Sequence, residues 1–178
     1  MGLILASNSP RRKAILQREG IAFTAISPNF EEEQIRRSKP EIYVMQLAYQ
    51  KAMRVREQHP KDVILAADTV VVLGEEILGK PRDRKDAESM LSRLRGRTHR
   101  VLSGYCILGK EKYVDYEETR VHFPDFSDES MAAYLDRDLY ADKAGAYGLQ
   151  DITEFMVQID GSYDNVVGLP VEAIRAHL

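Results

Sequence analysis

The sequence predicts an α/β protein built on one twisted, mixed β-sheet, with helices packed around it and a cleft between two lobes. Three stretches carry this reading. Val63 to Leu73 (VILAADTVVVL) is aliphatic and β-branched enough to be a buried central strand. Leu3 to Ala6 is a short apolar run that breaks into a polar turn and then a helical pattern, so strand, turn and helix follow one another from the start. Thr98 to Leu108 and Tyr113 to Phe123 are strand-like and joined at Gly109-Lys110, which predicts an antiparallel hairpin. A chain of 178 residues, 44% hydrophobic and 30% charged, suits one domain over residues 1–178 with a sizeable core.

Asp68 and Thr69 interrupt the central strand. A carboxylate inside such a strand costs roughly several kcal/mol unless it is hydrogen-bonded, metal-bound or open to a cleft. Two readings stand: a strand end or a pair with a core arginine, and a functional carboxylate. If the strand period of two holds, Thr69 points to the opposite face, and both can reach one site only near a strand end or bulge.

The polar stretch Ser7-Asn8-Ser9-Pro10-Arg11-Arg12-Lys13 leads into a helix containing Ala14, Ile15 and Leu16 and ended by Gly20, with Pro10 fitting its first turn. Hydroxyl residues, free backbone N–H groups at a helix start and two planar guanidinium groups make an anion site; an N-capped helix with a solvated basic turn is the plainer reading. Ala22 to Ile26 reads as a second short strand, followed by the acidic cluster Glu31-Glu32-Glu33. Such a cluster is ordinarily a solvated loop, and gains chemistry only if one carboxylate approaches Asp68 to share a divalent ion.

Ser38 and Pro40 announce a helix to about His59-Pro60, with Val44, Leu47, Ala48, Ala52 and Val55 on one face. Lys51 falls on that apolar stripe, so its ammonium either snorkels to solvent or enters an internal anionic site. Gly74-Glu75-Glu76 reads as a turn returning through Ile77-Leu78-Gly79 to Lys80-Pro81. Gly74 to Lys80 formally fits G-x-x-x-x-G-K, but Pro81 replaces the magnesium-binding hydroxyl residue and the return segment is apolar, so it is not a P-loop.

Asp83 caps a helix carrying Ala87, Met90, Leu91 and Leu94 and stopped at Gly96. Ser127 caps another with Met131, Tyr134 and Leu135. Asp142 to Gln150 (DKAGAYGLQ) is neither periodic nor typical of a disordered loop, and offers a cation, a flat ring and an amide in Lys143, Tyr147 and Gln150. Phe155 to Ile159 reads as a strand, Gly161 to Asn165 as a turn, and Pro170 opens a final helix with Ala173 and Ile174 packing inward.

A net charge of −3 and a pI of about 5.9 provide no basic field for nucleic acid. The single cysteine, Cys106, excludes a disulfide framework within the chain. No window approaches the roughly 18 apolar residues of a membrane span, and the N-terminus lacks a signal-like pattern; the expectation is a cytoplasmic protein with no membrane partner.

Six segments taken together resemble the Maf family of nucleoside triphosphate pyrophosphatases over essentially the whole chain: LASNSPRR from Leu5, AADTVVV from Ala66, GKPRD from Gly79, GRTH from Gly96, DKAGAYGLQ from Asp142 and GSYDNVVGLP from Gly161. The resemblance implies a Maf/ITPase-like fold and a hydrolase that cleaves a nucleoside triphosphate between the α and β phosphates with a divalent cation, Mg2+ or Mn2+. Its PRR, ADT and KAGAYGLQ segments resemble the branch acting on dTTP and UTP.

By that match Asp68 is the proton acceptor, and Arg11, Thr69 and Gln150 set base specificity. Ser7, Ser9 and Arg12 belong to the phosphate-binding turn, Lys51, Lys80 and Lys143 lie around the phosphates, and Glu32, with Glu31 as the alternative, lies with Asp68 at the metal. The chain departs from the family pattern at Asn29-Phe30-Glu31-Glu32, at Asp138-Leu139-Tyr140 and at Asp151. The rival expectation is a nucleotide-binding regulator of cell division, with the same cleft and no relevant turnover. The residues leave open a homodimer, and modified pyrimidine nucleotides as targets.

Overall fold

The structure, a computed structural model, describes residues 1–178. Strand β1 (Leu3–Ala6) leads into α1 (Pro10–Arg18) and β2 (Thr24–Ile26); α2 (Pro40–Arg56) then precedes β3 (Val63–Leu73) and β4 (Glu76–Leu78). Helix α3 (Arg84–Leu94), the hairpin of β5 (Thr98–Leu108) and β6 (Lys112–His122), and α4 (Asp128–Leu135) form the middle. A run of short 3-10 turns leads to β7 (Gln158–Asp160), α5 (Tyr163–Val167) and α6 (Val171–Ile174).

All seven strands join one mixed sheet in the order β2-β1-β3-β5-β6-β7, with β4 also on β3. The expected α/β fold and mixed sheet are observed. β1 runs parallel to β2 and β3, and every other pairing is antiparallel.

β3 is the strand on which everything converges. One of its edges pairs continuously with β5, from Ile64 to Val72. Its other edge pairs with β1 only at Val63 to Leu65 and with β4 only at Val71 to Leu73. Residues 66 to 70 therefore have an open edge, and the cleft enters there.

The two faces of β3 follow the period of two. Ala66, Val70 and Val72 pack among α2 residues Val44, Leu47, Ala48 and Ala52. Leu65 and Ala67 pack on the other face with Ile15 and Leu16 of α1 and with Leu169 and Ile174 near the C-terminus. A separate cluster holds the second lobe, in which Leu91, Phe123, Tyr134 and Phe155 pack together.

The first helix begins at Pro10, the proline expected in its first turn, and the Ser9 side chain caps it by accepting from the Arg12 N–H. Two later segments differ from the sequence expectation. The strand expected over Phe155 to Ile159 is Gln158–Asp160: Phe155 instead closes a 3-10 turn and stacks on Phe126 with ring centroids 4.1 Å apart. Gly161 to Asn165 is not only a turn, since Ser162 caps α5 by accepting from the Asn165 N–H, and Gly168 ends that helix at φ 139°.

Gly104 of β5 lies directly opposite Asp68 in the ladder. A Cβ there would collide with the Val44 carbonyl and stand 2.8 Å from the Met45 nitrogen. The bare backbone thus lets α2 settle onto the sheet, two turns before Lys51. Gly104→Ala is expected to destabilise the fold by about 3 kcal/mol in urea unfolding, because the clash is with helix backbone rather than a movable side chain. An unchanged unfolding midpoint would show that α2 does not depend on that approach.

Candidate functional site

The open edge of β3 forms the floor of a cavity of about 1100 Å3. Asp68 and Thr69 both line it, although they point to opposite faces. With no neighbouring strand at residues 66 to 70, side chains from either face reach the same gap.

Asp68 faces α2. Its carboxylate accepts a hydrogen bond of 2.6 Å from the Lys51 ammonium, which also donates to Glu32 at 2.8 Å. Lys51 and Asp68 are only 8% and 6% exposed, so the ammonium takes the internal route rather than snorkelling out. Burial pushes the Asp68 carboxyl above the usual carboxylate range; Lys51 and Arg12 oppose that rise and Glu32 adds to it. Burial also raises Glu32, but Lys51 and Lys80 outweigh it and hold that carboxyl below its ordinary value. Two adjacent carboxyls with opposite shifts are a common arrangement for dividing proton transfer from charge binding.

Thr69 faces α1. Its hydroxyl oxygen accepts from Arg12 Nη2 at 3.2 Å and lies 2.7 Å from the Ser103 hydroxyl, which in turn donates to the Asn165 carbonyl at 2.9 Å. Arg12 also donates through Nε to the Gly168 carbonyl at 2.7 Å and through Nη1 to Ser7 Oγ at 3.4 Å. The turn after β1 is thereby tied to β3 and to the end of α5. Ser7 Oγ further accepts from the Ser9 N–H at 3.1 Å, which shapes the turn at the N-terminus of α1.

The opposite wall is the loop from Asp142 to Gln150. Arg11 reaches across to Asp142 at 3.2 Å. Lys143 lines the cleft, yet its ammonium bonds the Leu139 carbonyl and Asp142 and lies 3.5 Å from Asp151. The structure therefore places Lys143 as an internal tie of its own loop. Lys80 and Gln150 also line the cleft.

This loop is anchored from beneath. Tyr147 sends its ring into the aromatic cluster, edge-on to Phe123 with centroids 4.9 Å apart, and its hydroxyl meets His99 Nε2 at 2.6 Å. His99 is buried and without a charged partner, so burial pushes its pKa down to about 3. Its Nδ1 has no hydrogen-bond partner.

Every residue named from the sequence as a site candidate lies on this one cleft: Ser7, Ser9, Arg11, Arg12, Glu32, Lys51, Asp68, Thr69, Lys80, Lys143 and Gln150. Sequence reasoning missed Ser103, Asn165 and the Gly168 carbonyl, which hold Thr69 and Arg12, and also Asp142 and Tyr43. Ser103, a hydroxyl within the mainly apolar run Val101 to Leu108 and fully buried in the fold, was the signal available for that network.

Glu32 and Asp68 are suitable ligands for a hard divalent cation. Their oxygens converge on one point, now held by the Lys51 ammonium, and no group of three or more potential ligand side chains gathers there. Two carboxylates completed by phosphate oxygens is a usual magnesium arrangement. No helix is long and apolar enough to cross a membrane.

The profile of the Maf-like protein family matches residues 2–178. A relative named dTTP/UTP pyrophosphatase from Nitratidesulfovibrio vulgaris is 47% identical over 182 residues, covering 99% of this chain and 86% of the relative. A protein of the same name from Pyrococcus abyssi is 42% identical, covering 97% of this chain and 92% of its own. Among solved structures, a HAM1 protein from Coxiella burnetii superposes with a TM-score of 0.53 at 11% identity, over 98% of this chain and 96% of the other. The Staphylococcus aureus Ham1 protein gives 0.51 at 17% identity, over 69% of this chain and 72% of the other. These two likenesses show the fold.

A histidine held neutral makes the fold acid-sensitive. The folded pKa is about 3 against an ordinary 6.5, so below pH 6.5 the unfolded chain takes up a proton that the native one refuses. Stability present above that pH is lost as pH falls toward 3, at about 1.4 kcal/mol per pH unit. The double variant His99→Phe, Tyr147→Phe, which removes both buried polar partners, is expected to flatten the acid limb of urea-unfolding stability by about that slope. An equal slope in both proteins would show that His99 is not the titrating group.

Proposed function

The chain belongs to the Maf family, and on that premise we propose that its cleft hydrolyses dTTP and UTP to the nucleoside monophosphate and pyrophosphate. The carrying observation is the convergence of buried Asp68 and Lys51 with the half-exposed Glu32 at the open edge of the central strand. Cleavage of a phosphoanhydride asks for charge neutralisation and a placed water, with little covalent help from the protein. The cleft supplies that chemistry: two carboxylates, a buried ammonium, and a wall of arginine and lysine.

In this reading Asp68 orients a water and takes its proton. The water oxygen bonds to the α phosphorus, the bond from that phosphorus to the α–β bridging oxygen breaks, and its electron pair leaves with pyrophosphate. The raised basicity of Asp68 suits a proton acceptor, and only a small part of its surface meets the cleft. A divalent cation, Mg2+ or Mn2+, would be held by Asp68 and Glu32 with phosphate oxygens, and would supply charge neutralisation. Lys51, Lys80, Arg12 and the N–H groups at the start of α1 bind phosphate oxygens. Thr69, Arg11 and Gln150 contact the base and sugar side and set the preference for pyrimidines.

A regulator that only bound nucleotide would gain nothing from a buried carboxylate of raised basicity beside polyphosphate. With dTTP, UTP and a divalent cation, the protein is expected to release pyrophosphate and not orthophosphate. Asp68→Asn should lower kcat at least about a thousandfold while the protein stays folded. Orthophosphate as the product, or near-normal turnover in that variant, would overturn the assignment.

A further inference from the structure

The cations lining the cleft fall into two groups. Arg11 is matched by Asp142, Lys51 by Glu32 and Asp68, and Lys143 by Asp142 and Asp151. Arg12, Lys80 and Arg37 also line it, and none has a carboxylate within 4.0 Å. Arg12 is engaged instead by neutral acceptors, Gly168 O, Thr69 Oγ1 and Ser7 Oγ. Lys80 has no such acceptor, and Arg37 has a single long carbonyl contact.

Arg37 is an exposed side chain on the cleft lining, and no carboxylate neutralises it. Its Nη1 donates to the Ile77 carbonyl at 3.4 Å, and its Nη2 lies over Gly79, 3.5 Å from where a Cβ would stand, beside Lys80. The buried Tyr43 hydroxyl feels both this guanidinium and Glu32. Glu76, the nearby acid, is committed to Arg93. An exposed arginine that lines a cleft and meets only a carbonyl and the Tyr43 hydroxyl keeps most of its donor fork for an anionic ligand.

Position then selects the anion. From Asp68 one direction runs through Arg12 to Thr69 and Gly168, where hydrogen-bonding groups prevail. The other runs through Glu32, which lies in the field of Lys80, to Tyr43 and Arg37. A triphosphate cut between its α and β phosphates places the nucleoside on one side of the reacting phosphorus and the more highly charged pair of phosphates on the other.

Resting on the hydrolytic reading above, we propose that Arg37 binds the β and γ phosphates, the half that leaves as pyrophosphate. The test compares product inhibition in wild type, Arg37→Gln and Arg37→Lys, with Arg36→Gln as a neighbour of equal charge outside the main cleft lining. Arg37→Gln is expected to weaken inhibition by pyrophosphate about tenfold or more and to leave inhibition by dTMP unchanged. Arg37→Lys should recover part of the loss, and Arg36→Gln should change neither. Equal weakening of both inhibitors, or of neither, would overturn the proposal. If the wild type releases no pyrophosphate, the hydrolytic reading fails, and calorimetric titration of the same proteins with pyrophosphate still decides whether Arg37 binds it.

Discussion

The structure depends on a buried ion pair placed where the central sheet is incomplete. Lys51 and Asp68 meet at 2.6 Å with almost no exposure. Taking two such charges out of water costs several kcal/mol per ion, which their attraction offsets only with good geometry and further hydrogen bonds. A well-packed apolar pair would serve stability as well. Retaining the charges makes sense at a site that must later receive other charges, and Glu32 already supplies a further carboxylate to the same ammonium.

Several features of the fold serve that arrangement. The missing ladder partner along residues 66 to 70 opens the floor to both strand faces. Gly104 allows the close approach of α2, from which Lys51 projects. The network of Ser103, Thr69, Arg12 and the Gly168 carbonyl ties the first turn of the chain to its last third, so the cleft is assembled from distant segments. The facing loop is set by Lys143 within itself and by Tyr147 on His99 below.

Much of this was legible in the sequence because it rests on local chemistry. A carboxylate in an aliphatic strand, a lysine on an apolar helical stripe and a hydroxyl-rich turn before two arginines each stand out against their neighbours. Their meeting was not legible, since it depends on which residues of β3 lack a strand partner. The period of two correctly put Asp68 and Thr69 on opposite faces, but only the register with β1 and β4 shows why both line one cleft. Lys143 reads as a phosphate ligand until the carboxylates of its own loop come into view. The α5 helix was hidden in a stretch of only five residues whose start depends on the Ser162 cap.

The central claim is that water placed by Asp68 attacks the α phosphorus, with the charged half of the substrate departing. Turnover of dTTP in heavy-oxygen water, followed by mass spectrometry of both products, tests it most directly. The account predicts the label in dTMP and none in pyrophosphate. Label in pyrophosphate would mean attack at the β phosphorus, and would contradict the placement of the reacting atom beside Asp68.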